Sequence, residues 1–286
     1  MNADAGICYL DGAYLPLAEA RVSVLDRGFI FGDAVYEVLP VVAGRMFALE
    51  EHLERLARSL AAIGIAPPLT LAAWRDCLAG LITRNGGGNL SVYLQVTRGV
   101  APRDHAFPSA ATPTVFAMCR PLTMTAGISV VNAVTLPDNR WLRCDIKSTS
   151  LLANVLLRNE ALRCGAYEAL LLRDGWLTEG AASNVFVVSD GVVRTPPLSD
   201  RLLAGVTRGL LLEVMGRGGR PCREEAIDER TLRGAGEIWI TSSSRDLLCV
   251  GRLDGVAVGD GANYPVASAV LQDFITYRDQ RLGSGT

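Results

Sequence analysis

The sequence predicts a two-domain α+β protein whose larger domain is rich in strands. A chain of 286 residues is long enough for two domains of ordinary size. Strand-like stretches dominate after about residue 120, and strands and helices do not alternate regularly enough for a doubly wound sheet. We therefore expect a small α+β domain over residues 1–119 and a larger, cofactor-binding domain over residues 120–286.

Two turn signals place the first strands. Asp11-Gly12 follows a strand-like stretch at 7–10 and predicts a hairpin. Ala43-Gly44 separates apolar stretches at 35–42 and 45–49, which indicates a second strand pair.

Helices follow in the same domain. Leucines recur at helical spacing from Leu49 to Leu60, and Gly64 provides a stop. Thr70 is an expected N-cap for a second helix that runs to about Arg84. The alternating stretch 90–97 then predicts another strand.

The second domain is expected to begin after a linker at 119–125, which contains Pro121. Asp174-Gly175 and Asp190-Gly191 are turn signals between its strands. The predicted elements are strands at 128–134, 169–172, 184–188 and 237–241, a helix at about 150–163, and a short helix from about Val206.

Composition excludes several classes of function. With 49% hydrophobic and 20% charged residues the chain is a folded globular protein. A net charge of −2 without blocks of like charge does not favour nucleic acid or membrane partners. Neither a signal peptide nor a membrane span is expected. Seven widely spaced cysteines are typical of reduced thiols in the cytoplasm.

Metal and nucleotide chemistry are also poorly supported. His52 and His105 lie far apart in the sequence and outside any ligand-spaced cluster, so no metal site is expected. Lys147 is not preceded by the glycines of a P-loop.

Lys147 is the only lysine among 28 lysine and arginine residues. Arginine cannot replace lysine as a neutral amine or Schiff-base former, because its guanidinium stays protonated. On composition alone, a required amine and a lysine kept by chance are about equally plausible. The position of Lys147 favours the first, since it ends an irregular segment just before an apolar helix.

Two further features suit a phosphorylated pyridine. Glu179 lies in a turn of small residues that lets a flat ligand approach, and a carboxylate beside a pyridine nitrogen keeps that nitrogen protonated. A helix start at Gly205-Val206-Thr207 and a hydroxyl-rich turn at 241–244 are both suited to phosphate. Each has an ordinary alternative, a solvated glutamate and simple helix or turn caps. Together with one lysine, they describe the needs of pyridoxal phosphate.

The same residues carry a resemblance to the class IV aminotransferases, pyridoxal-phosphate enzymes of fold type IV, and within them to bacterial D-amino acid (D-alanine) transaminases. The similarity extends from about residue 7 to about 250. The stretches that carry it are 26–38, 51–56, 95–108, 145–148, 179–186 and 205–208.

This resemblance implies the cofactor contacts. Lys147 would hold the cofactor as a Schiff base and then carry the proton at the substrate Cα, and Glu179 would face the ring nitrogen. Leu203 would pack against the ring. The phosphate would be bound by Arg55, Val206, Thr207, Ser242 and Ser243. For Arg55 an exposed helical pair with Glu51 is the ordinary alternative.

The resemblance also implies the substrate contacts. Tyr36, Arg103 and His105 would bind the substrate carboxylate, although Arg103 and His105 also fit an ordinary solvated loop. In the family this loop reaches the neighbouring active site, which implies a homodimer.

The expected reaction moves the amino group of D-alanine to 2-oxoglutarate and gives pyruvate and D-glutamate. Four alternatives remain open: a branched-chain L-amino acid transaminase, an (R)-amine transaminase, an aminodeoxychorismate lyase, and a protein that binds the cofactor without turnover.

Overall fold

The computed structural model describes residues 6–124 and 127–283, which form two compact units. The first contains the described residues up to Thr123 and a returning segment, Ile146–Ser150. The second contains the rest. The division between residues 119 and 120 stays a prediction of domain organisation, and nothing in the sequence indicates the returning segment. Within the described ranges, no helix combines the length and apolarity needed to cross a bilayer.

The first unit is built on an antiparallel sheet with two long helices. Among its described residues the sheet order is β2-β1-β6-β5-β3-β4. The elements are β1 (Ile7–Leu10), β2 (Ala13–Pro16), α1 (Arg27–Phe31), β3 (Ala34–Val42), β4 (Arg45–Met46), α2 (Leu49–Ala62), α3 (Leu71–Arg84), β5 (Leu90–Thr97) and β6 (Val115–Pro121).

The apolar residues at alternate positions of β3 pack against the leucines of α2 and form the core of this unit. Val35, Leu39, Leu56 and Leu60 are buried in one cluster, since every second residue of a strand faces the same side. The N-cap prediction for α3 is confirmed, because the Thr70 hydroxyl accepts a hydrogen bond from the backbone of α3.

Two predictions in this unit are wrong in extent. The strand expected at 45–49 has two residues, because Ala48 turns into the left-handed region at φ 56° and α2 begins at the next residue. The linker expected at 119–125 overlaps β6, where Pro121 is the last strand residue, a position that tolerates proline. Thr125 lies outside the described residues.

The second unit has a larger mixed sheet. Its order among the described residues is β12-β11-β10-β13-β14-β7-β8-β9, with β15 beside β14. The elements are β7 (Val130–Pro137), α4 (Leu152–Arg163), β8 (Glu168–Arg173), β9 (Trp176–Gly180), β10 (Asn184–Ser189), β11 (Val192–Thr195), α5 (Val206–Arg217), β12 (Cys222–Glu224), α6 (Glu229–Arg233), β13 (Glu237–Ser242), β14 (Asp246–Leu253), β15 (Val256–Ala257) and α7 (Pro265–Gly283).

Aspartate-glycine turns organise this sheet. Asp174-Gly175 and Asp190-Gly191 have positive φ at both residues, as two-residue hairpins require, and they join β8 to β9 and β10 to β11. The helix expected to be short, α5, has 12 residues. The tail, for which the sequence suggests no element, forms α7.

Candidate active site

Lys147 belongs to the first unit because its segment is hydrogen-bonded along β3. The amide of Tyr36 donates to the carbonyl of Lys147 at 3.0 Å, and the amide of Thr149 donates to the carbonyl of Ala34 at 3.0 Å. The neighbouring Ile146 side chain is buried in the core of this unit. The only lysine is therefore fixed by backbone pairing on one side and by an apolar anchor on the other.

The side chain of Lys147 is half-buried beside an aromatic pair. Its Nζ lies 4.3 Å from the centroid of the Tyr36 ring. That ring stacks on Tyr93 with centroids 5.6 Å apart, and the Tyr93 hydroxyl donates to Gln95 at 2.7 Å. Tyr36 thus orients the amine that the sequence singles out.

Arg55 lies in a buried ionic cluster on the core side of β3. Its Nε and Nη2 donate to the two oxygens of Glu37 at 2.8 and 2.7 Å, and His52 Nδ1 lies 2.7 Å from the same carboxylate. Burial would raise the pKa of Glu37, but Arg55 and His52 outweigh it and lower that pKa to about 2. A carboxylate in an apolar core thereby stays charged and fixes the guanidinium.

The loop between β5 and β6 brings Arg103 and His105 together, and both are exposed. The guanidinium of Arg103 lies 5.5 Å from the centroid of the Phe31 ring. The imidazole of His105 lies 5.4 Å from the same centroid. The Arg103 guanidinium and the His105 imidazole therefore lie beside the same aromatic ring, that of Phe31.

Glu179 is a buried carboxylate near the end of β9. One oxygen accepts from Arg140 Nη1 at 2.5 Å, and the other accepts from Asn184 Nδ2 and the Leu203 amide, each at 3.1 Å. Asn184 also donates to the Leu203 carbonyl at 2.8 Å. The amide and the carbonyl of Leu203 are thus both hydrogen-bonded, and its side chain is half-buried.

Arg140 ties Glu179 to a second acid. Its Nε and Nη2 donate to Asp138 at 2.9 Å each. Burial alone would lower the pKa of Arg140, but hydrogen bonds and charge from Asp138 and Glu179 raise it. The arginine therefore remains a cation between the carboxylates of Asp138 and Glu179.

The N-terminus of α5 suits an anion. Among residues 6–124 and 127–283, no side chain caps this helix, so its first amides and the positive end of its dipole are available for an anion. A Cβ at Gly205 would collide with the Asn184 side chain, so a larger residue here would displace the amide that bonds Glu179. Thr207, in the first turn, is buried, whereas Val206 is half-buried.

The serine turn, residues 242–246, joins β13 to β14. Ser242 pairs with Asp246, and both Ser242 and Ser243 are half-buried. Asp246 accepts a hydrogen bond from Arg278 of α7 at 2.8 Å. Within the described ranges, the buried Thr241 hydroxyl next to this turn has no hydrogen-bond partner, as expected of a donor that serves a ligand.

The described residues thus include the kinds of group that pyridoxal phosphate requires. They include a lysine amine on a segment paired with β3, a buried carboxylate that accepts from an arginine, and a helix N-terminus of the kind that binds phosphate. The α+β architecture is that of the fold type IV enzymes that use this cofactor.

The comparisons identify the family. Residues 34–253 match the model of amino-transferase class IV. A D-alanine aminotransferase of Bacillus licheniformis is 39% identical over 91% of this chain and 93% of its own. Another, of Staphylococcus haemolyticus, is 36% identical over 96% and 98%. The protein belongs to the class IV aminotransferases and depends on pyridoxal phosphate.

A solved structure supports the fold. The branched-chain amino acid aminotransferase of Escherichia coli superimposes with a TM-score of 0.89, although it is only 23% identical. The match covers 96% of this chain and 95% of the other. The likeness in fold therefore extends over nearly the whole chain.

The sequence did not indicate the residues that hydrogen-bond the predicted site residues Glu179 and Arg55. Arg140 and Asn184 fix Glu179, and Glu37 fixes Arg55. The available signal was Glu37 itself, since a lone carboxylate at an inward position of an apolar strand requires a buried cation.

Proposed function

We propose that the protein is a D-amino acid transaminase that moves the amino group of D-alanine or a similar D-amino acid to 2-oxoglutarate. The products are pyruvate and D-glutamate. The observation that carries the proposal is the loop with Arg103 and His105, a guanidinium and an imidazole that share the Phe31 ring. Identities of 39% and 36% to relatives named D-alanine aminotransferase support the same reaction.

Lys147 is proposed as the attachment point of the cofactor and as the group that moves the proton. When it is bound, pyridoxal phosphate supplies an electron sink for the charge that develops at the substrate Cα. Lys147, as a free amine, would take the proton from the substrate Cα and would return it at C4′ of the cofactor. The Tyr36 ring, 4.3 Å from Nζ, restricts where the amine moves during the transfer.

The proposed contacts to the ring and phosphate of the cofactor match the charge and polarity of each group. Glu179 would face the pyridine nitrogen, and it accepts a hydrogen bond from the Arg140 guanidinium. Leu203 would pack against the ring. The phosphate would be bound by Arg55, Val206, Thr207, Ser242 and Ser243, a set with a cation, a helix N-terminus and hydroxyl donors.

Tyr36, Arg103 and His105 are proposed to bind the substrate carboxylate. A guanidinium can donate two parallel, charge-assisted hydrogen bonds to the two oxygens of a carboxylate. A site of this kind selects amino acids over simple amines and orients Cα toward the proton-transfer group.

We further propose a homodimer in which Arg103 and His105 reach the neighbouring active site. Apolar side chains are unusually exposed in the first unit, at Val24 (70%) and Phe29 (75%). The same holds for α4 of the second unit, at Leu152 (72%) and Leu156 (60%). Such patches typically mark protein interfaces, and sedimentation of the pure protein tests the state directly.

The cytoplasm is the proposed location. The seven cysteines are free in the structure, and free thiols are typical of reducing compartments.

The test compares three amino donors with 2-oxoglutarate as acceptor: D-alanine, L-leucine and (R)-1-phenylethylamine. We expect turnover with D-alanine and D-glutamate as product, measured by chiral chromatography. Turnover with L-leucine alone would identify a branched-chain transaminase, and turnover with the amine alone would identify an (R)-amine transaminase. A reaction with aminodeoxychorismate that releases pyruvate without amino transfer would identify the lyase.

A further inference from the structure

The loop that carries Arg103 and His105 is long and its tip is exposed. It connects Thr97 at the end of β5 to Val115 at the start of β6. Loops of this length usually carry function and tend to be mobile. Binding a carboxylate with two side chains on such a loop is costly unless the backbone is already held in place.

Arg27 holds that backbone. It is the first residue of α1 and only 3% exposed. Its Nη1 donates to the carbonyl of Asp104 at 2.5 Å and to that of Ala106 at 3.3 Å, and its Nη2 approaches the carbonyl of His105 at 3.5 Å. One guanidinium thus contacts three consecutive carbonyls around His105.

Arg27 is itself fixed by a shared carboxylate. Asp33 accepts from Arg27 Nε at 2.8 Å and from Arg98 Nε and Nη2 at 2.7 and 3.0 Å. Burial raises the pKa of Asp33, but the two arginines outweigh it and lower that pKa. Asp33 therefore stays anionic and sets the plane of the Arg27 fork.

The anchor and the exposed side chains share one ring. The guanidinium of Arg27 lies 4.8 Å from the centroid of Phe31, the ring that Arg103 and His105 also approach. Arg98 extends the anchor along the loop, with its guanidinium 3.7 Å from the centroid of Phe107. Arg27 and Arg98, which share the Asp33 carboxylate, thereby contact the loop around residues 103–107.

We propose that Arg27 is a positioning residue for the substrate carboxylate site, because it fixes the loop backbone that presents Arg103 and His105. This inference rests on the proposed function of those two residues. A lysine cannot replace the arginine, since a single ammonium group does not reach three carbonyls and Asp33 with the same geometry.

The test measures substrate binding separately from cofactor binding in Arg27→Met and Arg27→Lys. We expect the KM for D-alanine and the inhibition constant of propionate, a carboxylate without an amino group, to rise together by about 10- to 100-fold, as a displaced binding group predicts. The expected kcat and the visible absorption band of the bound cofactor stay close to those of the parent. Amide hydrogen exchange across residues 100–108 is expected to accelerate.

Arg84→Met is the matched control. Arg84 also donates to a backbone carbonyl, that of Gly80 at 3.0 Å, and lies 4.0 Å from an aromatic centroid, that of Tyr14. It does so at the end of α3, where we expect no change in any of the five readouts.

A parent-like KM and propionate constant in folded Arg27→Lys would overturn the inference, and so would equal losses of kcat and of the absorption band. If Arg27→Met does not fold, Arg27→Lys decides. If the parent does not use D-alanine, the proposed function fails. The inference is then judged by hydrogen exchange and by propionate binding, followed through the cofactor absorption.

Discussion

Glu179 and the Arg103–His105 loop are built in opposite ways, although both are proposed to bind charged groups. Glu179 is 5% exposed, and its oxygens accept hydrogen bonds from Arg140, Asn184 and Leu203. On the loop it is the backbone that is anchored, while the side chains of Arg103 and His105 are exposed.

The difference corresponds to how long each ligand stays. A cofactor that remains through many turnovers is served by a fixed, desolvated charge, which needs no reorganisation at the moment of reaction. A substrate that must leave is served by exposed side chains, because a fully desolvated ion pair would slow its release. Changes on the cofactor side should therefore alter absorption and stability, and changes on the loop should alter KM.

The largest expected effect is that of Lys147→Arg. The substitution keeps the charge but removes the only primary amine of a side chain, so we expect loss of the visible absorption band. Turnover should fall by about 100- to 10,000-fold or more, as expected when a proton-transfer group is lost. Absorption spectra and steady-state rates check both. An intact band with normal turnover would show that Lys147 is not the attachment point.

Arg140→Met tests the buried network around Glu179. Removal of one partner of a buried ion pair destabilises a protein by about 3–5 kcal/mol, and the affinity for pyridoxal phosphate should fall with it. Urea unfolding and cofactor titration measure the two effects. Arg143→Met is the control, because Arg143 pairs with Asp145 on the surface, and we expect it to behave like the parent.

Arg103→Met tests the loop. Loss of a hydrogen bond to a charged group costs about 1.5–3 kcal/mol, so the KM for D-alanine should rise by about 10- to 100-fold. We expect the absorption band and the urea midpoint to stay unchanged. The exposed Arg120 at the end of β6 provides the control, Arg120→Met. A lowered urea midpoint in Arg103→Met would contradict the division between a buried cofactor side and an exposed substrate side.

Local signals predicted much of the fold. Asp11-Gly12, Ala43-Gly44, Asp174-Gly175 and Asp190-Gly191 all lie at hairpins with positive φ, because few residue pairs adopt that backbone. The prediction of a strand over residues 45–49 was wrong, because the residues of this stretch are divided between β4 and the start of α2. The returning segment 146–150 could not be predicted, since it depends on pairing with β3, more than 100 residues earlier in the sequence.

The sequence predicted individual residues of the candidate site, but not the hydrogen-bond networks that connect them. Motifs named Arg55 and Glu179, but their partners, Glu37 and Arg140, come from other elements and follow only from the three-dimensional structure. Arg27 belongs to a stretch that carried the family resemblance, yet nothing in its sequence neighbourhood indicates that it contacts carbonyls near His105.

The chain has only two histidines, and they provide the finest test of the comparison. His52 is buried beside Glu37 and Arg55, whereas His105 is exposed on the loop. Burial lowers the pKa of His52 more than the Glu37 carboxylate raises it. The unfolded chain therefore takes up a proton at His52 at a higher pH than the folded protein does, and the free energy of unfolding should decrease as the pH falls below about 6.5.

Urea unfolding between pH 7.5 and 5, at saturating pyridoxal phosphate, measures that slope. This range lies above the window in which protonation of Glu37 would destabilise the fold, between its ordinary pKa of 4.5 and the lowered value of about 2. His52→Asn keeps a hydrogen-bond donor near Glu37 but does not titrate, so its slope should be shallower than that of the parent. His105→Asn is the comparison variant, because His105 is exposed on the loop whereas His52 is buried. A shallower slope in His105→Asn, with no change in His52→Asn, would assign the acid sensitivity to the loop and reverse the comparison.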